Sequence, residues 1–499
     1  MVRADFLALL PILVTGAGIV VVMLVAAFRR RPLPVMLLAL LTLLAAFAAL
    51  APAAGVAPRA VTPLLAVDAY ALFYMGLVLA ATFAVVLMCY GYFSRGGQSH
   101  EAVYILLLLA ALGAMVLVGS HHFASFFLGL ELLSVALFAL IAYPRETERP
   151  LEAGIKYLVL AGLSSAFLLF GMALVYAQTG TMEFGAIGAL LAGRDTGADA
   201  WADTGLALIV VGVGFKLALV PFHMWTPDVY QGAPAPVAAF VATVSKGAML
   251  ALLLRYFVTA DAYRSTSMAV ALSLIAIASI LVGNLLALLQ DNVKRILAYS
   301  SIAHLGYALV AFLAAGPFAS EAVAYYLSAY FVTMLGAFGV VTLLSPGGLE
   351  PDRDALADYR GLFWSRPWPA AVFAAMLLSL AGIPLTMGFM GKFYVVAAGV
   401  DASLWLLVIV LVIGSAIGLF YYLRIIATMC APVTDVTMRD ASGPRSRAVA
   451  TSGSPLPPGF RPSVATSVTL AALTMLLVWL GIYPGPLISL LQATVGRLG

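Results

Sequence analysis

Charge is what this sequence has least of. Only 10% of its 499 residues are Asp, Glu, Lys or Arg, while 64% are hydrophobic. A soluble domain carries roughly 25% charged residues, so the composition excludes a soluble globular protein and leaves a polytopic membrane protein. Cysteine is scarce as well. Cys89 and Cys430 close apolar segments and have no metal-ligand spacing, which makes them small hydrophobes at helix ends. A Gly-rich nucleotide loop, an Fe–S cysteine spacing and a haem motif are all missing. The chain is therefore not itself a redox centre and is expected to bind no cofactor or metal. A net charge of +4 gives no reason to expect a nucleic-acid partner; basic residues here are topology signals.

What is present is apolar sequence in span-length runs. At about 20 residues per crossing, fourteen spans are predicted, in an all-α protein. They fall at 6–28, 33–54, 64–90, 101–119, 122–143, 152–177, 201–230 (interrupted), 232–257, 266–289, 295–315, 321–344, 368–398 (interrupted), 401–429 and 464–492. The first runs into Arg29-Arg30-Arg31, which reads as a membrane helix with a basic stop and not as a cleavable signal. Fifteen Lys and Arg residues lie in the even-numbered loops and five on the side of the termini. That bias puts the even loops in the cytoplasm and both termini outside. The segment 431–463 reads as a flexible cytoplasmic loop, and 345–368 as a polar connection packed on the same surface.

Lysine is rarer than arginine, five against twenty-one, and it is placed differently. Arg255 and Arg424 fall in the last turns of their spans, where they are expected to snorkel. Lys156, Lys216, Lys246 and Lys392 fall inside predicted spans, and only Lys294 lies in a loop. Arginine keeps its proton under any plausible condition, whereas a buried lysine can give it up. Glu131, in SFFLGLELLSVALF, is the one acid in mid-span, and His304 lies about ten residues into the tenth span among Tyr299, Ser300, Ser301 and Tyr307. Ionisable groups at that depth are functional by default. One acid cannot pair with three deep lysines, so some of these lysines must be neutral part of the time or hydrated, as a proton path requires. Lys156, only about four residues into its span, fits a structural ion pair as well as a proton site. His223 is a weaker candidate, and His121 and His122 are given no role.

Two interruptions accompany the lysines. Lys216 precedes Pro221, and Gly382-Ile383-Pro384 precedes Lys392. Broken helices at membrane depth occur where protein or a hydrated cavity satisfies the freed backbone groups, and paired breaks in two halves point to inverted repeats. The repeats are expected at spans 4–8 (101–257) and 9–13 (266–429).

WTPDVYQGAPAPV at 225–237, DNVKRILAYSSIAHLGY at 291–307 and LSLAGIPLTMGFMGKFY at 378–394 resemble the antiporter-like subunits of respiratory complex I over nearly the whole chain. The resemblance implies a proton-translocating subunit of a bacterial inner-membrane NADH–quinone oxidoreductase. It makes Glu131 the partner of Lys216, Lys246 the central lysine, His304 a relay, Lys392 the terminal lysine and Lys156 an additional one. NADH, FMN, Fe–S clusters and quinone are then expected in other subunits, with sister antiporter-like subunits and the lipid bilayer as partners. Two other readings remain: a subunit of a multisubunit cation/proton antiporter, and a structural membrane scaffold.

Overall fold

The computed structural model describes residues 2–28, 31–96, 100–144, 146–192, 200–264, 266–348, 350–432 and 463–496. Apart from 431, 432 and 463, the segment read as a flexible loop lies outside them, as do several of the loop arginines. Among the described residues twelve helices are long and apolar enough to cross a membrane. The two remaining predicted spans each fall on a pair of helices separated by a break. In chain order spans 1–6 are Leu10–Phe28, Pro32–Ala54, Ala69–Phe93, Glu101–Val118, Phe123–Ile141 and Glu148–Thr179. Span 7 is Ala200–Leu217 with Trp225–Gly232. Spans 8–11 are Ala235–Thr259, Thr266–Leu288, Val293–Ala314 and Gly316–Leu344. Span 12 is Pro367–Ala381 with Met387–Asp401, and spans 13 and 14 are Trp405–Cys430 and Val464–Ile482.

Several ends differ from the sequence reading. Residues 64–67 belong to a short antiparallel hairpin, Arg59–Val61 with Leu65–Val67, and span 3 starts only after Asp68 caps it by accepting from Ala71 N at 2.8 Å. Span 14 stops at Ile482, and a separate helix, Gly485–Thr494, follows Pro484. Span 8 contains a π turn, Val241–Ser245, directly before Lys246, an irregularity common at functional sites that apolar patterning does not reveal.

Both breaks have local causes. In span 7 the helix ends where Ala218 takes a φ of +60° and Pro221 removes a backbone donor. The Trp225 indole N–H reaches back across the gap to Phe215 O at 2.9 Å, satisfying one carbonyl there. In span 12, Gly382 with φ +89° ends the first half, and Thr386 caps the second through Phe389 N.

Depth of burial sorts the spans. The most apolar windows of spans 8 and 11 are wholly buried and that of span 10 is 94% buried, against 22% for span 1 and 28% for span 14. Spans 8, 10 and 11 are the centre. Around it, two helix pairs pack at backbone distance through small residues. A Cβ on Gly113 of span 4 would lie 2.6 Å from Leu133 N and 2.9 Å from Gly129 O of span 5. A Cβ on Gly283 of span 9 would lie 2.7 Å from Ala303 N and 2.9 Å from Tyr299 O of span 10. Gly283, Ala303 and Tyr299 follow Gly113, Leu133 and Gly129 at one constant offset along the chain.

The arginines at the ends of spans 8 and 13 repeat the correspondence. Arg255 Nε donates to Val118 O at 3.2 Å, and Arg424 Nη1 donates to Leu288 O at 3.2 Å; the two accepting carbonyls are related by that same offset. Arg255 does not snorkel. It is 2% exposed, its guanidinium grips both Asp68 carboxylate oxygens at 2.7 and 2.8 Å, and it lies over the Tyr70 ring. Once Asp68 and the Val118 carbonyl satisfy its donors, it has no need of water.

Candidate functional site

Lys216 stands on the last turn of the first half of span 7, beside the break, and is 3% exposed. Its ammonium donates to Ser134 Oγ at 2.8 Å and to Tyr157 OH at 2.9 Å. Ser134 spends its own hydrogen on Leu130 O, so towards the lysine it only accepts. Tyr157 is held among Phe138, Phe215 and Trp225, and the Ser245 hydroxyl of span 8 is its neighbour.

Lys246 follows the π turn of span 8 and is fully buried. It donates to Ser301 Oγ at 2.7 Å and lies 5.2 Å from the centroid of the Tyr230 ring. Ser301 in turn bonds Tyr330 OH at 2.7 Å and Tyr230 OH at 3.3 Å. One turn further along span 10, His304 pairs through Nδ1 with Tyr326 OH at 2.6 Å and through Nε2 with Tyr422 OH at 3.2 Å. Tyr422 closes onto Ser300. Lys392, in the second half of span 12, reaches back to Ala381 O at 2.8 Å, the last carbonyl of the first half, and to Ser415 Oγ at 2.7 Å.

A common unit emerges. Each of the three deep lysines donates to one serine, Ser134, Ser301 or Ser415, and lies 5.2–5.4 Å from the centroid of one tyrosine ring, Tyr157, Tyr230 or Tyr307. Among the described residues none of the three carries an ion pair. A hydroxyl free to turn suits a group that changes charge, because it accepts from an ammonium and can donate to an amine. Tyr157 can do so at Lys216 and Ser301 at Lys246, whereas Ser134 and Ser415 give their hydrogens to Leu130 O and Ala381 O and only accept. The rings of Tyr230 and Tyr307 favour the cation at Lys246 and Lys392, while Lys216 meets Tyr157 at its hydroxyl. The tyrosines and serines of Lys216 and Lys392 are not legible as partners in the sequence. For Lys246 and His304 there is a signal, the cluster of hydroxyls at 299–307.

Glu131 is not in contact with Lys216. It is half-buried and accepts from Ser165 Oγ at 2.5 Å; Ser134, three residues along the same helix, stands at the lysine instead. Lys156 and Lys294 exchange the positions the sequence suggests. Lys156 is 44% exposed and paired with Glu152 at 2.7 Å and Asp228 at 3.0 Å, outside the buried row. Lys294 is 1% exposed, bound to Gln231 O, Ala233 O and Asp352. His223 is buried beside the break, and Thr226 Oγ1 near it has no hydrogen-bond partner among the described residues.

Fold and site together define a polytopic membrane protein that keeps three titratable lysines and a histidine at its centre, in neutral hydroxyl shells. Residues 120–418 match the NADH:quinone oxidoreductase/Mrp antiporter transmembrane family, and the chain belongs to it. It is 62% identical over 512 aligned residues to the protein of Nitrosospira multiformis named NADH-quinone oxidoreductase subunit N, with 99% of this chain and 97% of that one covered. A chain in the structure of respiratory complex I from Thermus thermophilus with bound aureothin is 33% identical, with a TM-score of 0.78 over 96% of this chain and 98% of its own. A chain of the Mrp complex from Dietzia sp. DQ12-45-1b superposes with a TM-score of 0.81 over 100% of this chain and 98% of its own, at 22% identity, which is a likeness of fold alone.

Proposed function

We propose that this chain is the proton-translocating, antiporter-like subunit N of a bacterial NADH–quinone oxidoreductase. In this reading Lys216, Lys246, His304 and Lys392 carry the proton, with Glu131 as modulator. The observation that carries it is the shared setting of the three lysines: buried, without a carboxylate, on a serine and a tyrosine. A scaffold would pair a buried ammonium with an acid, as Lys294 is paired with Asp352.

The steps follow from that setting. Charged Lys216 is steadied by Ser134, Tyr157 and the field of Glu131. When that field weakens, an N–H bond of Lys216 breaks, Tyr157 donates to the amine left behind, and the proton passes through the Tyr157–Ser245 region, by hydroxyl or water, to Lys246. Ser301 and Tyr330 lead from Lys246 towards His304, whose two ring nitrogens can accept on one side and release on the other. Lys392 takes the proton last. A tenfold change in proton affinity is about 1.4 kcal/mol, well within what moving one charge in a low-dielectric interior supplies.

The basic face is taken as cytoplasmic, both termini as external and the membrane as the bacterial inner membrane. Residues 101–257 and 266–429 are taken as inverted five-span repeats, supported by the glycine contacts and the arginine-bound carbonyls, Val118 O and Leu288 O, that recur in the second unit at a constant offset from the first. NADH, FMN, Fe–S clusters and quinone belong to other subunits, and sister antiporter-like subunits are the membrane partners. Lys156 is left to the ion pairs around Asp228. A cation antiporter is disfavoured, since sodium needs several oxygen ligands and three lysines beside one half-buried carboxylate repel it. The test is Lys216→Ala and Lys246→Arg in the assembled complex. Both are expected to keep NADH oxidation and lose most proton pumping. Full pumping by assembled Lys216→Ala overturns the path, and full pumping by Lys246→Arg removes deprotonation of Lys246 from it.

A further inference from the structure

Span 9 turns most of its surface outward; only 33% of its most apolar window is buried. Yet it carries Asn284, which is completely buried and which the proton path does not use. Both of its amide hydrogens are used, and its oxygen accepts one bond. Nδ2 donates to Ile280 O at 2.7 Å and to Tyr307 OH at 2.8 Å, and Oδ1 accepts from Tyr421 OH at 3.1 Å. The orientation is forced, because a backbone carbonyl only accepts and the atom facing Ile280 O must be the nitrogen. Two glycines of span 13 make the room. A Cβ on Gly414 would stand 3.0 Å from Asn284 Nδ2 and 3.2 Å from Tyr307 OH, and one on Gly418 3.2 Å from Asn284 Oδ1.

The tyrosine so tethered is the one whose ring lies 5.3 Å from Lys392 Nζ. We propose that Asn284 is a positioning residue for the terminal lysine, fixing the Tyr307 ring against the Lys392 ammonium through the Asn284–Tyr307 hydrogen bond. Two contacts favour the charged form of Lys392 over the neutral one, the ring face and the Ala381 carbonyl at the C-terminus of its helix; the Asn284–Tyr307 bond sets the first and leaves the second unchanged. The other titratable groups around Lys392 are His304 on span 10, Tyr326 on span 11, against which Gly391 packs, and Tyr421 and Tyr422 on span 13. Spans 9 and 14 and the first half of span 12 contribute no titratable side chain. The carboxylates on the neighbouring helices, Glu321 and Asp401, stand towards helix ends.

The inference rests on Lys392 carrying a proton, and the test separates the two claims. The assembled oxidoreductase is reconstituted in liposomes, and protons pumped per NADH oxidised are measured against pH for Asn284→Leu, Tyr307→Phe, the double variant and Lys392→Ala. Without the tether the protonated lysine loses a stabilising contact, so the alkaline limb of pumping moves to lower pH, by about one pH unit. Tyr307→Phe keeps the ring and removes the same bond, so it is expected to give the same shift, and the double variant no further one. An unshifted profile in assembled Asn284→Leu, or shifts that add in the double variant, overturns the positioning role. Where Asn284→Leu does not assemble, Tyr307→Phe alone decides: a shift supports the role and an unshifted limb overturns it. Full pumping by Lys392→Ala at every pH fails the path itself, whatever Asn284 does.

Discussion

The two units proposed as repeats, spans 4–8 and 9–13, have several packing contacts in common and differ in chemistry. Gly113 and Gly283 make the same backbone contacts, and Arg255 and Arg424 reach equivalent carbonyls. At the matching positions of spans 5 and 10, however, Glu131 corresponds to Ser301, Ser134 to His304 and Leu137 to Tyr307, all at the offset that relates the two glycines. The first unit holds a carboxylate in the region of Lys216, one of its two deep lysines; the second has a histidine between tyrosines and a single deep lysine with only neutral partners. A scaffold that positions groups at fixed points lets the groups diverge. In the proposed path, this divergence would let the charge of Lys216 be tuned by Glu131 and leave Lys392 to its local contacts.

The comparison is broken most forcefully at the arginines. Arg255 is 2% exposed and grips Asp68, whereas the side chain of Arg424 is 31% exposed and that of its partner Asp291 is 85% exposed. Removing one side of a buried pair costs about 3–5 kcal/mol. Arg255→Ala is therefore expected to lower the thermal midpoint and yield of the assembled complex on a native gel. Next in size, Ser301→Asp gives Lys246 the carboxylate it lacks, holds its proton, and is expected to cut pumping about tenfold at unchanged NADH oxidation, an effect of about 1.4 kcal/mol. Glu131→Gln removes a charge one step away from Lys216; a fall in pumping of about threefold is expected by proton flux in liposomes. Unchanged pumping there would mean that the carboxylate difference between the two units is silent. Smallest is Arg424→Ala, with less than about 1 kcal/mol on the same thermal midpoint, since its ion pair is exposed to solvent. Equal losses at the two arginines would show that the shared carbonyl contact, and not burial, sets their worth.

Much of this is legible in the sequence, and most of the failures lie at span ends, the mid-span exception being Glu131, which meets Ser165 and not Lys216. Span-length apolar runs, the Pro221 and Pro384 breaks and the depth of Lys216, Lys246, Lys392 and His304 follow from local patterning, because a membrane tests each segment separately for hydrophobicity and for satisfied backbone groups. Residues at span ends are where patterning misleads. Lys294 reads as a loop cation, but the connection after span 11 folds over it and supplies Asp352, itself held by Tyr92 OH at 2.8 Å. Lys156 reads as intramembrane, but Asp228 draws it to an exposed face. Arg255 reads as free to snorkel, but Asp68, 187 residues earlier, meets it below the surface.

Order along the chain and depth in the membrane are thus determined by the sequence alone, since each is a property of a segment and its solvent. Which hydroxyl meets which lysine is decided by the tertiary structure. Ser134 comes to Lys216 from span 5, Ser301 to Lys246 from span 10 and Ser415 to Lys392 from span 13. Each arrives on a different helix, at a contact a few ångströms long, and no periodicity within one helix specifies the face that its neighbour presents.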